Sequence, residues 1–296
     1  MAAGDLSRAS ATPEAAEASE ASGLHALDRA TRLQPVAGQA HRFAGTVGRD
    51  YWNMVGPFGG VTAATALAAV LGHPERLGLP VALTVNFAAP LAAGACTVEA
   101  VPVRTNRSTQ HWTLAITQAD DSGQPQTVLT GTALTALRRD TWGDAESRCP
   151  PVPRPETLPP AQSRAGLGWF SHYELRPISG DVPAQWDGAL RESLTRLWVR
   201  DQPPRPLDFV SLAAQADIFF GRILLRRAAP TPFGTVSLTV YFHADEAALA
   251  RAGSGYLLAQ ARGQAYFKGY HDQAAQLWSE AGELLATTHQ VVYYKG

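Results

Sequence analysis

The sequence predicts an α+β protein made of two copies of one unit, each an antiparallel sheet wrapped around a single long helix. Three observations carry this expectation. The strings LTVNF (Leu83–Phe87) and LTVYF (Leu238–Phe242) recur at an offset of 155 residues, since 238 − 83 = 155. Each string follows a helix-forming stretch and precedes three further β-like segments. Between the copies, six of the eleven residues from Pro150 to Pro160 are proline, which excludes helix and central strand alike.

Taken in order, the elements are these. Residues 1–22 carry acidic residues that interrupt every alanine run, and no apolar signal-peptide region appears among them. They read as the start of a poorly ordered leader covering residues 1–40. A first unit over 41–145 opens with a helix over roughly Gly60 to Leu71, introduced by Gly59-Gly60. After LTVNF come strands near 97–103, 111–119 and 127–137, the last two joined by the turn Asp120-Asp121-Ser122-Gly123. Residues 146–166 read as a stiff, extended, proline-rich linker.

The second unit, 167–296, repeats the plan. Its helix spans roughly Asp208 to Leu225, with Asp208 suited to the N-cap. In 235–243, alternation places Val236, Leu238, Val240 and Phe242 on one face. Thr235, Ser237, Thr239, Tyr241 and His243 fall on the other. Segments near 256–267, 273–279 and 284–294 follow, with the turn Ser279-Glu280-Ala281-Gly282 between the last two.

Composition narrows the function. Twenty-five basic against 26 acidic residues leave a net charge of −1, so no basic surplus is available to neutralise nucleic-acid phosphates. A hydrophobic content of 45% supplies a large core. No stretch offers the roughly 18 uncharged apolar residues of a membrane span. The two cysteines, Cys96 and Cys149, make neither a disulfide framework nor a thiolate metal site. Together these features predict a cytoplasmic enzyme or binding protein with no cofactor and no metal. The dinucleotide fingerprint, the phosphate loop and the GxSxG elbow are absent, and no histidines stand at HExxH spacing. Neither cysteine has a neighbouring histidine to activate it.

Five positions remain as candidates. At i−4, i−3, i+3 and i+4 from Asp217 stand Ala213, Ala214, Phe220 and Gly221, all uncharged. A carboxylate on such a face is either buried or lines a cavity, needs hydrogen-bond donors or a raised pKa, and suits a general base, unless the face is set differently and the group is simply solvated. Gln290 is in register with Ala286, Thr288 and Val292; its amide either holds a water or carbonyl oxygen or faces solvent. Thr235 heads its strand and, taken alone, has no assigned role. Gly59 and Gly60 offer unblocked amides at a helix N-terminus, suited to a developing oxyanion or to plain close packing.

In order and spacing, the motifs PFGG (Pro57–Gly60), VNFAAPL (Val85–Leu91), YELRP (Tyr173–Pro177) and RLWVR around Trp198 resemble the TesB-like acyl-CoA thioesterases. The likeness runs from about Arg42 to Tyr294. It implies a tandem double hotdog fold and hydrolysis of acyl-CoA to free acid and coenzyme A, a reaction of lipid metabolism. That family activates water with an Asp, a Thr and a Gln of its second hotdog, which match Asp217, Thr235 and Gln290. Well-known bacterial members carry an acidic residue two positions after the threonine; here it is Ser237. The alternative in another class is a non-catalytic or weakly catalytic acyl-CoA-binding double hotdog. A hotdog hydratase is disfavoured, because it needs a histidine paired with the aspartate. The expected partner is the acyl-CoA itself, with no nucleic acid and no membrane. Exposed sheet edges make a homodimer an open expectation.

Overall fold

The computed structural model describes residues 23–162 and 166–295. Residues 1–22 of the expected leader, and 163–165 of the linker, lie outside the described residues. The remainder of the leader is built into the fold. Residues Ala26–Ala30 form a helical turn (α1) whose Leu27 is fully buried, and Leu33–Pro35 form a strand (β1). The expectation of a loose segment up to residue 40 is thereby corrected. Leu27 finds a place in the core, and β1 finds an unpaired strand edge at Arg42–Val47 (β2).

The first half continues with a helix at Gly59–Leu71 (α2) and strands at Leu79–Phe87 (β3), Gly94–Thr105 (β4), Thr109–Ala119 (β5) and Pro125–Ala136 (β6). The second half begins with strands at Tyr173–Ser179 (β7) and Thr195–Asp201 (β8). Helices at Phe209–Gln215 (α3) and Ile223–Arg227 (α4) precede a strand at Phe233–Phe242 (β9). A helix at Glu246–Ala252 (α5) leads to strands at Leu257–Arg262 (β10), Tyr266–Phe267 (β11), Tyr270–Ser279 (β12) and Leu284–Tyr294 (β13).

All strands join one antiparallel sheet in the order β1-β2-β4-β5-β6-β3-β9-β13-β12-β10-β8-β7, with β11 added beside β12. Read outward from the β3–β9 seam, the halves have the same order: β3-β6-β5-β4-β2-β1 on one side, β9-β13-β12-β10-β8-β7 on the other. The sheet wraps α2 and α3, which pack against each other. Alanine dominates α2, which carries no charged residue and is buried nearly all round, as a helix enclosed by sheet and partner helix must be.

The 208–225 helix is the main departure from the sequence reading. Asp208 does cap it, accepting from the Ser211 amide at 2.8 Å. Regular helix ends at Gln215, where the amides of Asp217 and Ile218 turn back to the carbonyls three residues earlier. Phe220 and Gly221 therefore do not stack over Asp217; the wheel holds only for Ala213 and Ala214. The proline-rich linker is largely extended but is interrupted by one 3-10 turn at Pro155–Thr157, a helical form in which proline can take the first position, and it is docked rather than spanning open solvent. The indole of Trp198 donates to the Pro153 carbonyl at 2.9 Å, and that of Trp278 to Ser147 at 3.3 Å. Val152 and Leu158 cover a second apolar cluster of Trp198, Tyr256, Leu258 and Trp278.

Candidate active site

The end of α3 delivers Asp217 into the interior, where only 6% of its surface is exposed. On β13, side chains alternate: Thr288, Gln290 and Val292 are buried while His289, Val291 and Tyr293 face out. Gln290 Nε2 donates to Asp217 Oδ1 at 2.8 Å, and Thr235 Oγ1 donates to Gln290 Oε1 at 3.2 Å. The three residues form one directed chain ending on the carboxylate. Its polarity is set by chemistry, because an ionised carboxylate can only accept.

Thr235 reaches this chain only because β9 is not regular. Gln290 is paired with Leu238, but Val292 is paired with Thr235, so Val236 is an extra residue bulged out of the ladder. Strict alternation would set Thr235 on the face opposite Leu238; the bulge turns it to the same, inner face. The first half repeats the irregularity at Val81, between Pro80 and Ala82, which is 155 residues earlier.

The N-terminus of α2 closes the site from the other half. The Gly60 amide is directed at the Asp217 carboxylate. A Cβ on Gly59 would stand 2.6 Å from Asp217 Oδ2, and one on Gly60 would overlap the Ala214 carbonyl oxygen. The glycines thus serve close packing and leave room for the carboxylate. Of the first-turn amides, those of Gly59 and Val61 have no partner among the described residues, and Gly59 is the one beside the Asp217 carboxylate. Burial pushes the Asp217 carboxyl up to about 7, against the opposing pull of the Gln290 and Gly60 donors.

The first half holds no second copy of this chain. Leu83, the counterpart of Leu238, pairs with Ala133 where Leu238 pairs with Gln290, and Pro80 stands at the place of Thr235. A cavity of about 220 Å³ in that half is lined by Val61, Thr62 and Thr65 of α2 together with Cys96 and Ile116. None of the triad residues borders it. Sequence spacing did not foresee that His41, His73 and Glu75 bring ligating atoms within 4.8 Å of one another. There His73 Nε2 meets His41 Nδ1 at 2.9 Å while its Nδ1 accepts the Glu75 amide at 3.1 Å. The rings satisfy each other, beyond the end of α2 remote from Gly59, and take no part in the Asp217 site. No described helix is long and apolar enough to cross a membrane.

An antiparallel sheet around packed central helices, present in tandem and carrying one polar site at the junction, defines a double hotdog protein. The profile of the acyl-CoA thioesterase N-terminal domain matches residues 48–136, and that of the C-terminal domain matches residues 146–294. The chain belongs to the acyl-CoA thioesterase family. A conserved protein of unknown function with a hot dog fold from Alicyclobacillus acidocaldarius is 47% identical, with a TM-score of 0.85 over 92% of this chain and 99% of that one. Two mycobacterial structures share the fold at 17% identity. Acyl-CoA thioesterase II TesB2 from Mycobacterium marinum has a TM-score of 0.72 over 91% of this chain and 98% of its own. The tesB protein of Mycobacterium avium subs paratuberculosis has 0.69 over the same shares. Among curated proteins no significant match is found.

Proposed function

We propose that this protein hydrolyses acyl-CoA thioesters with a water activated by Asp217. The observation that carries the reading is the buried chain Thr235–Gln290–Asp217 set against the N-terminus of α2. A general base works best when its pKa lies near the working pH, and a buried carboxylate held near 7 meets that condition. Gln290 keeps one amide hydrogen beyond the one given to Asp217, and the Thr235 oxygen keeps its lone pairs; both can position the water. Asp217 takes a proton as the water oxygen bonds to the thioester carbonyl carbon. The negative charge then gathering on the carbonyl oxygen is met by the first-turn amides of α2, Gly59 foremost among the unpaired ones. Collapse breaks the C–S bond, and the departing thiolate recovers the proton from Asp217. The products are the free acid and coenzyme A.

The test is a thiol-release assay over acyl-CoA esters of short to long chain, with wild type and Asp217→Asn. Turnover by the wild type and its loss in the variant support the reading. Near-normal hydrolysis by Asp217→Asn would overturn the role of Asp217. Tight acyl-CoA binding without thiol release would make the protein a binding module instead.

A further inference from the structure

Beside the triad lies a group that the hydrolytic mechanism leaves unused. Arg222 is fully buried, in the irregular stretch between α3 and α4. Its Nε donates to Gln273 Oε1 at 2.9 Å and to the Phe220 carbonyl at 3.1 Å. Its Nη atoms donate to the carbonyls of Phe220 and Ser193 and to the Thr195 hydroxyl. Every acceptor is neutral, and no carboxylate pairs with it among the described residues. The guanidinium lies 4.3 Å from the centre of the Phe220 ring, which adds a weak attraction but no counter-charge. A cation taken wholly out of water without an anion is costly, and an arginine is almost never fully buried unless paired.

Its surroundings are also under-satisfied. Gln273 is 1% exposed, and its Nε2 has no partner. His271, two residues earlier on the same inner face of β12, is 2% exposed, with Nδ1 at the Asp272 carbonyl and Nε2 unpartnered. The Tyr266 hydroxyl, its ring stacked on His271, is a third unpartnered atom there, and buried polar atoms are nearly always paired, so these orphans around an uncompensated cation mark a place where a polar ligand or water belongs. The place adjoins the reacting centre, because Gln273 and Gln290 are direct partners across β12 and β13, about one strand spacing (~4.8 Å) apart. The other half shows that the fold does not need this polarity. There Trp112 pairs with Ala133 where Gln273 pairs with Gln290, so an indole fills the equivalent interior.

We propose that Arg222 and Gln273 bind a carboxylate at the far end of the acyl group, so that the enzyme favours ω-carboxyacyl thioesters of coenzyme A over unsubstituted chains. This rests on the thioester-hydrolase reading and adds a substrate class to it. The ligand's carboxylate would take the guanidinium charge and the free Gln273 N–H, while His271 Nε2 supplies an acceptor for an accompanying water.

The experiment compares kcat/KM for matched pairs, glutaryl- with pentanoyl-CoA and adipyl- with hexanoyl-CoA. It uses wild type, Arg222→Met, Arg222→Lys and Gln273→Leu. The proposal expects the wild type to favour the carboxylated member about tenfold or more in at least one pair. That ratio collapses toward or below one in Arg222→Met, is largely kept in Arg222→Lys, and falls several-fold in Gln273→Leu. If Arg222→Met does not fold, the Gln273→Leu ratio decides. A wild type that prefers the unsubstituted chains, or ratios untouched by the substitutions, overturns the proposal while hydrolysis itself stands. If no ester is hydrolysed, calorimetric titration of adipyl- and hexanoyl-CoA into the wild type separates the two claims. A binding preference for adipyl-CoA upholds the anion site without the hydrolase, and equal binding overturns the anion site as well.

Discussion

The hydroxyls of Thr84 and Thr239 meet at 3.0 Å across the seam between the halves, and these residues are equivalent positions of the internal repeat, 155 apart. Around them Leu83 pairs with Val240 and Val85 with Leu238, so a local two-fold axis passes through the threonine pair. This pairing covers what would otherwise be two exposed strand edges, and it brings α2 against α3. It is therefore the relationship that carries the glycines of one half to the aspartate of the other.

The pair itself can be tested by a double-mutant cycle in urea. Thr84→Val or Thr239→Val alone leaves a hydroxyl without its partner in a half-buried seam, at an expected cost of about 1 kcal/mol each. The double variant replaces both partners by isosteric apolar groups. It should cost no more than either single one, a coupling of about 0.5–1.5 kcal/mol. Additive losses would show that the hydroxyls do not interact in solution.

Activity should follow the ionisation of Asp217. Only the carboxylate can take a proton from water, so kcat/KM should fall as pH drops through about 7, by close to tenfold per unit below it. Asp217→Asn should lower kcat by roughly 10²–10⁴ and abolish that limb. A stopped thiol-release assay between pH 5 and 9 checks both. A flat wild-type profile across this range contradicts the assignment of Asp217 as base.

The same group links pH to stability. Its carboxyl titrates near 7 when folded, against an ordinary value of 3.8, so between these values the folded state holds a proton that the unfolded state has released. Stability contributed at this site therefore falls as pH rises from about 4 to about 7, and is level above that. Asp217→Asn removes the titration, so its stability relative to wild type should rise across this window by roughly 2–4 kcal/mol. Urea midpoints at pH 4.5, 6 and 8 would show the trend. A difference that does not change with pH would mean that the carboxyl titrates normally.

Much of this architecture is legible in the sequence because its repeat lies at the seam. LTVNF and LTVYF form the C-terminal parts of β3 and β9, and the turns at 120–123 and 279–282 join the last strands of each half. What escaped reading is where the chain departs from periodicity. Val236 and its counterpart Val81 are ordinary β-formers, so nothing in the residue types marks a bulge; the register shift shows only against β13 and β6. The break after Gln215 is equally silent, since apolar residues continue to Leu225. Tertiary demand decides both: Asp217 is placed by leaving the helix, and Thr235 by leaving the ladder. Arg222 carries no signal of its own in the sequence, and its burial follows from the chain path after the break. α1 and β1 are too short for a periodic signal and are held by burial of Leu27 and pairing with β2.

The two adjacent glycines of α2 should separate packing from chemistry. A methyl on Gly60 would overlap the Ala214 carbonyl and stand 2.6 Å from Phe58 Cε1, so α2 and α3 must move apart. Gly60→Ala should therefore destabilise by about 1–3 kcal/mol, as overpacking does, with activity falling as part of a general loosening. A methyl on Gly59 meets chiefly the Asp217 carboxylate, at 2.6 Å, and the edge of Phe87 at 3.3 Å. Neither is backbone, so the fold can yield by turning side chains. The carboxylate then leaves the line set by Gln290, and a shift of about 1 Å at a reacting centre can cost about 100-fold in rate. Gly59→Ala is thus expected to lose most of its kcat while its Tm stays within a few degrees of wild type. Gly60→Ala should lose Tm first. If the order is reversed, with Gly59→Ala active and Gly60→Ala stable, the contact between α2 and Asp217 does not govern the site.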